Sequence, residues 1–192
     1  MPDHGADAQP LVLVVTGAPA SGKTTIGRAL ASRLGLPYLS KDLFKEALFD
    51  SLGCQDREWS RRVGSASMDL LFRTAAALLD AGRSVALESN FYAAWDTPRL
   101  RELGERHGCR FVQVVCYAPG AVLAERFARR ARSGERHPGH ADLHSLEEFI
   151  PRLLTERWDA LALNGPVFNL DTSRTGVDVD DLVRQICQSG TP

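Results

Sequence analysis

Five short apolar runs punctuate this chain, and between them apolar residues return every three or four positions. The first run, Leu11 to Val15, is apolar without interruption and rich in β-branched residues, the pattern of a strand buried on both faces. Ile26, Leu30 and Leu34 then recur at helical spacing, and Gly35 with Pro37 supplies a stop. Pro37 to Ser40 is expected to form a short second strand. Lys41 to Leu52 reads as a helix with Leu43, Phe44, Ala47 and Leu48 inward, ended by Gly53. A longer helix is expected from Glu58 to Ala81, carrying the stripe Met68, Leu71, Phe72, Ala75, Leu78 and Leu79.

The alternation continues with a third strand from Ser84 to Glu88, a helix from Pro98 to His107, a fourth strand from Arg110 to Tyr117 and a helix from Pro119 to about Arg132. Ser133 to Leu143 is polar, contains Gly134, Pro138 and Gly139, and is the expected mobile lid. A helix from Ser145, bent near Pro151, a fifth strand from Pro166 to Asp171 and a closing helix from Asp178 to Gln188 complete the pattern. Strands alternating with helices imply right-handed crossovers and a mostly parallel sheet. Its ligand is then expected at the C-terminal edge of the strands.

Composition narrows this picture only modestly. A chain of 192 residues with 44% hydrophobic and 24% charged residues fits one ordinary globular domain with a core of its own. The expected organisation is a flexible stretch over residues 1–10, then a single domain over 11–192 with its lid at about 126–144. A net charge of -1 argues against holding long nucleic acid by bulk electrostatics. Cys54, Cys109, Cys116 and Cys187 form no metal-ligand or redox spacing and are expected as free thiols. The run after Pro10 is too short for a signal peptide or a membrane span, so a cytoplasmic protein without membrane association is expected. Lysine occurs only at Lys23, Lys41 and Lys45, against a background of arginine.

The specific chemical signal is Gly17-Ala18-Pro19-Ala20-Ser21-Gly22-Lys23-Thr24, a complete G-x-x-x-x-G-K-[ST] phosphate loop. It follows a buried strand and opens a helix, as its mechanism requires. Successive backbone N–H groups converge on a phosphate while the helix adds its positive end. Lys23 is expected to neutralise β- and γ-phosphate oxygens, and Thr24 to place its hydroxyl on Mg2+. Gly17, Ala18, Ala20, Ser21, Gly22 and Thr25 complete the expected cradle for ATP. The fold class is therefore α/β: a three-layer P-loop nucleoside-triphosphate-hydrolase fold with a five-stranded parallel sheet and a lid. No NKxD sequence is present to select guanine, which makes a GTPase switch a poor reading.

With Ser40-Lys41-Asp42, Glu88-Ser89-Asn90 and the arginine-rich segment Glu125 to Arg136, the chain resembles the small P-loop kinases of the gluconate-kinase-like, zeta-toxin-like and chloramphenicol-phosphotransferase-like kind. The resemblance implies that Asp42, after the second strand, faces the acceptor hydroxyl and takes its proton. Glu88 ends an apolar strand at the same edge, where it is expected to serve magnesium or the substrate, and Asn90 to point the same way. Arg126, Arg129 and Arg130 share one side of a helix. In the kinases resembled, arginines from this region stack on adenine or stabilise the transferring phosphoryl group. Arg126 is expected on the nucleotide, Arg130 and Arg136 in catalysis, with Arg132 extending the cluster. Trp59, Arg61, Arg62, Phe91, Tyr92 and Trp95 are expected to border the acceptor pocket.

These readings converge on ATP-dependent transfer of a phosphoryl group to a hydroxyl of a small molecule, whether an antibiotic, a nucleoside or a sugar. The alternatives are a nucleotide-dependent regulatory ATPase without an acceptor and a polynucleotide kinase. Oligomeric state is left open by the sequence.

Overall fold

A computed structural model of the chain describes residues 9–140, 142–174 and 176–189. Most of the N-terminal stretch expected to be flexible lies outside them. Five strands, β1 (Leu11–Gly17), β2 (Tyr38–Ser40), β3 (Val85–Glu88), β4 (Arg110–Tyr117) and β5 (Val167–Asp171), form one parallel sheet in the order β2-β3-β1-β4-β5. The helices between them are α1 (Lys23–Leu34), α2 (Lys41–Leu52), α3 (Arg57–Asp80), α4 (Ala93–His107), α5 (Gly120–Ser133), α6 (Leu146–Thr155) and α7 (Val179–Gln188).

The uninterrupted apolar run of β1 is explained by two cores. Val12 and Val14 pack with Leu71, Ala75, Leu87 and Leu100 on the α3/α4 side. Leu11, Leu13 and Val15 pack with Ile26, Leu30, Leu182 and Ile186 on the α1/α7 side. Every residue of β1 is buried, so the strand needs no polar face. The edge strand β5 differs: its residues alternate between exposed and half-buried, with Phe168 and Leu170 turned to the α1/α7 core. A third cluster, Ala18, Ala118, Leu123, Phe127 and Leu153, seats α5 and α6 beside the phosphate loop. Among the described residues no helix is long and apolar enough to cross a membrane.

Register brings the strand ends together. Val15 pairs with Glu88, and Glu88 with Ser40, so the turns after β1, β2 and β3 emerge side by side. Two boundaries differ from the periodicity. Helix α4 starts at Ala93 rather than Pro98, because the Asp96 carboxylate reaches back to accept the Tyr92 N–H at 2.7 Å and organises an earlier first turn. The polar segment after α5 is not plain loop. It contains short 3-10 turns at Pro138–His140 and Leu143–Ser145, and Gly139 and His140 are buried.

Candidate active site

The phosphate loop requires glycine where the chain turns hardest. Gly17 has φ +145°, and a Cβ there would stand 2.2 Å from the Cys116 carbonyl oxygen. Ala20 holds φ 63°, a left-handed conformation costing a non-glycine residue about 1–2 kcal/mol, in a loop whose shape is imposed from outside. Part of that imposition comes from the residue just after β5: the Thr172 hydroxyl lies 2.8 Å from the Ser21 carbonyl oxygen and 3.0 Å from that of Tyr117. Arg126 donates to the Thr172 carbonyl at 2.7 Å, on the β5 side of the loop.

Lys23 is buried at the start of α1, its Nζ donating to the Ala18 carbonyl at 3.4 Å and standing 3.9 Å from Glu88 Oε1. Burial drives its pKa down, against the opposing pull of Glu88 and Asp42. The Thr24 hydroxyl donates to Glu88 Oε2 at 3.3 Å, and Tyr38 donates to the same oxygen at 3.0 Å. Burial and Glu88 together push the Tyr38 phenol well up, so it stays a donor. Glu88, only 2% exposed, is thus the hub joining loop lysine, loop threonine and β2.

Asp42 stands in the first turn of α2 without capping it. The cap is Ser40, whose Oγ accepts the Leu43 N–H at 3.4 Å. The Asp42 carboxylate pairs instead with Arg136 from 94 residues away, and Arg136 also holds Asp142 at 3.0 Å. Burial raises the carboxyl pKa, but Arg136, His140, Lys23 and Lys41 outweigh it and hold the group below the usual carboxylate range. Arg130 donates to Asp142 at 3.2 Å.

These groups open onto one cavity of about 610 Å3, lined by Lys23, Thr24, Asp42, Glu88, Asn90, Arg130 and Arg136 among others. The expected set therefore divides. Arg126 belongs to the β5 side of the loop and does not line this cavity, so Arg126 and Arg130 do not converge. Arg129 and Arg132 are exposed, Arg129 near Glu125 at 3.8 Å. Of the residues expected at the acceptor pocket, Arg61, Tyr92 and Trp95 line it. Trp59 instead donates its indole N–H to Gly53 at the α2–α3 corner, Arg62 pairs with Glu58, and Phe91 is core.

Several lining residues carried no local signal. Lys41, Lys45, Arg57, Ser60 and Gly64 form the end of the cavity between α2 and α3. Lys45 Nζ donates to Ser60 Oγ at 2.9 Å, and Ser60 Oγ in turn donates to the Gly139 carbonyl at 3.0 Å. The lysine count was the available clue: all three lysines of the chain line this one cavity. Among the described residues no cluster of three or more His, Cys, Asp or Glu side chains could hold a metal ion; His137 pairs with Asp50 at 3.1 Å and His140, which also lines the cavity, with Glu46 at 2.8 Å.

Sheet order, phosphate loop and cavity together define a P-loop nucleotide-binding fold of the small-kinase type. A family model described as an AAA domain matches residues 12–153, and the chain belongs to that family. The solved structure of a candidate kinase from Chloroflexus aurantiacus is 40% identical, with a TM-score of 0.85 over 95% of this chain and 98% of that one. A UPF0200 protein of Aeropyrum pernix is 32% identical over 126 residues, 65% of this chain and 67% of its own. A shikimate kinase of Ruegeria pomeroyi is 50% identical over 40 residues, and the chain spans only 20% of that relative.

Proposed function

We propose that this protein transfers the γ-phosphoryl group of ATP to a hydroxyl of a small molecule. The observation that carries this reading is the convergence of Lys23, Thr24, Asp42, Arg130 and Arg136 on one cavity of about 610 Å3, a size suited to a small ligand beside a phosphate loop. In the proposed reaction the acceptor O–H gives its proton to Asp42 while its oxygen bonds to the γ-phosphorus. The bond from that phosphorus to the β–γ bridging oxygen breaks, and ADP leaves. Such transfers are governed by positioning and charge neutralisation, which suits a site built of cations around one carboxylate.

Each residue then has a role. Lys23 and the backbone N–H groups of Gly17, Ala18, Ala20, Ser21, Gly22 and Thr25 hold the donor phosphates. Arg130 and Arg136 balance charge on the transferring group, and Arg126 contacts the nucleotide on its β5 side. Asn90 faces the acceptor. Thr24 and Glu88 fit magnesium, since a hydroxyl and a carboxylate oxygen 3.3 Å apart offer the few hard donors that ion takes from protein. When bound there, the ion neutralises β- and γ-phosphate oxygens. The segment 133–143 acts as the lid that keeps water from the phosphoryl group.

The shared arginine gives the site a natural order of events. While Arg136 is on Asp42, that carboxylate holds protons poorly. A γ-phosphate drawing Arg136 away raises the proton affinity of Asp42 as the donor loads. The test is Asp42→Asn assayed with labelled ATP against sugars, nucleosides and hydroxylated antibiotics. ATP affinity is expected to persist while turnover falls by roughly 10²–10⁴-fold. Undiminished turnover removes Asp42 from the chemistry.

A further inference from the structure

The cavity is far more cationic than the molecule that contains it. Nine of the chain's 23 Lys and Arg residues line it, against five of its 24 Asp and Glu, in a protein of net charge -1. Most of these cations are already answered by carboxylates: Arg136 by Asp42 and Asp142, Arg130 by Asp142, Arg57 and Arg61 by Glu148, Lys23 by Glu88. Lys41 and Lys45 are not. Among the described residues neither ammonium has a carboxylate within 4 Å, and Lys45 has the neutral hydroxyl of Ser60 and the face of the Phe49 ring at 5.3 Å.

The two ammonium groups also share a location. They extend from successive turns of α2 over Gly64 of α3, where Lys41 Nζ and Lys45 Nζ stand 3.7 and 3.8 Å from the point a Cβ at that glycine would occupy. Gly64 sits inside a helix with ordinary φ, so its lack of a side chain is not required by the backbone. It leaves room between two cations instead. Burying two like charges side by side with no carboxylate in contact is costly: Asp42 and Asp96 attract Lys41 only from beyond 4 Å, and burial with the nearby Lys41 holds the Lys45 pKa down to about 8. An oxyanion in that space removes the cost. Asp42, adjacent to Lys41 in sequence, lines the same cavity.

Resting on the kinase reading above, we propose that the acceptor is an anionic hydroxy compound whose carboxylate, phosphate or sulfate group is seated by Lys41 and Lys45 over Gly64. The seat is measured apart from the chemistry by titrating inorganic sulfate calorimetrically into protein saturated with ADP, which keeps sulfate off the phosphate loop. Wild type is expected to bind sulfate, and Lys41→Gln or Lys45→Gln to weaken it about tenfold, the worth of one charged hydrogen bond. Gly64→Ala puts a methyl group in the seat while favouring the helix. It is expected to bind sulfate less well and melt no lower than wild type, a pairing that a purely structural role for Gly64 does not produce.

The acceptor is measured by labelled transfer to matched pairs, such as gluconate with glucose, and a phosphorylated or sulfated nucleoside with its parent. The acid member of a pair is expected to be used at least ten times more efficiently, and which acid wins separates a carboxylate from a phosphate or sulfate. Equal sulfate affinity in wild type and both lysine variants, or no sulfate binding by wild type, overturns the seat. Equal use of the neutral members overturns the anionic acceptor and leaves the kinase reading standing. Transfer to no hydroxyl compound at all overturns the kinase reading and the acceptor with it, and the sulfate titration still reports on the two lysines.

Discussion

Lys45 shows how much a single ammonium can reveal about what a site awaits. It is 7% exposed and faces Lys41 and Asp42 from its own helix, Arg57 from α3, and Arg136 and His140 from the segment after α5. Burial comes first among the causes that bring its pKa down to about 8, from an ordinary value near 10.5. The folded state therefore holds fewer protons than the unfolded one between those values, and this group's contribution to stability rises with pH across that window. A bound anion reverses the shift and draws a proton in. Sulfate affinity is thus expected to be flat up to about pH 8 and to fall towards tenfold per pH unit above it. In Lys45→Arg the guanidinium stays charged, and the slope is expected to shrink, with what remains belonging to Lys41, whose pKa burial also lowers. Calorimetry at stepped pH decides it, and an Arg profile as steep as wild type assigns the titration to a group other than Lys45. Local pattern identified Lys23 because its neighbours in sequence are its neighbours in function. Lys45 had no such frame, since Ser60 and Gly64 reach it through the packing of two helices.

Helix α2 joins the sheet edge to the segment that follows α5. Asp42, Glu46 and Asp50 stand at intervals of four and make one acidic stripe. Arg136 meets the first, His140 the second at 2.8 Å and His137 the third at 3.1 Å. Phe49 lies under this seam, stacked on the His137 ring at 5.5 Å, with Gly139 packed against it. The sequence supports a mobile polar loop here because glycine, proline and histidine are all that local pattern records. The stripe's partners lie 87 to 94 residues away and leave no trace in periodicity. The start of α2 was legible for the opposite reason, since its cap, Ser40, acts within three residues.

Two expectations belong to this seam. A Cβ at Gly139 would fall 2.2 Å from the Phe49 ring, and Phe49 is buried with nowhere to turn. Gly139→Val is expected to lose about 1–3 kcal/mol and to speed hydrogen exchange over 134–145, while α1 and the sheet keep their protection. Unchanged exchange in that segment contradicts the packing. The second concerns pH. Burial, then Arg136, lowers the His140 pKa in the folded state, so its contribution is fully present above the ordinary imidazole value and is lost as pH falls below it. Thermal denaturation is expected to show stability declining below about pH 6.5, with His140→Gln reducing that slope.

For the whole molecule the decisive quantity is where charge is placed rather than how much there is. The near-neutral total counted against nucleic acid, yet nine cations of one cavity sit at the sheet edge while much of the acidic charge lies elsewhere on the chain. A concave site in which cations outnumber carboxylates nine to five focuses field lines and raises the local concentration of anions. Both proposed substrates, ATP and an acid acceptor, are anions. Salt should then act on capture and spare the step that follows, because phosphates and lysines already in contact within the cavity are poorly screened. Raising ionic strength from about 0.05 to 0.5 M shortens the Debye length from roughly 14 to 4 Å. Initial rates are expected to show KM for ATP and for the acid acceptor rising several-fold over that range, with kcat little changed. KM for a poorly used neutral acceptor should move least of the three. A kcat that falls with salt as steeply as 1/KM would place the sensitive electrostatics in the transfer step itself, and the cationic cavity would then be catalytic machinery rather than an antechamber for anions.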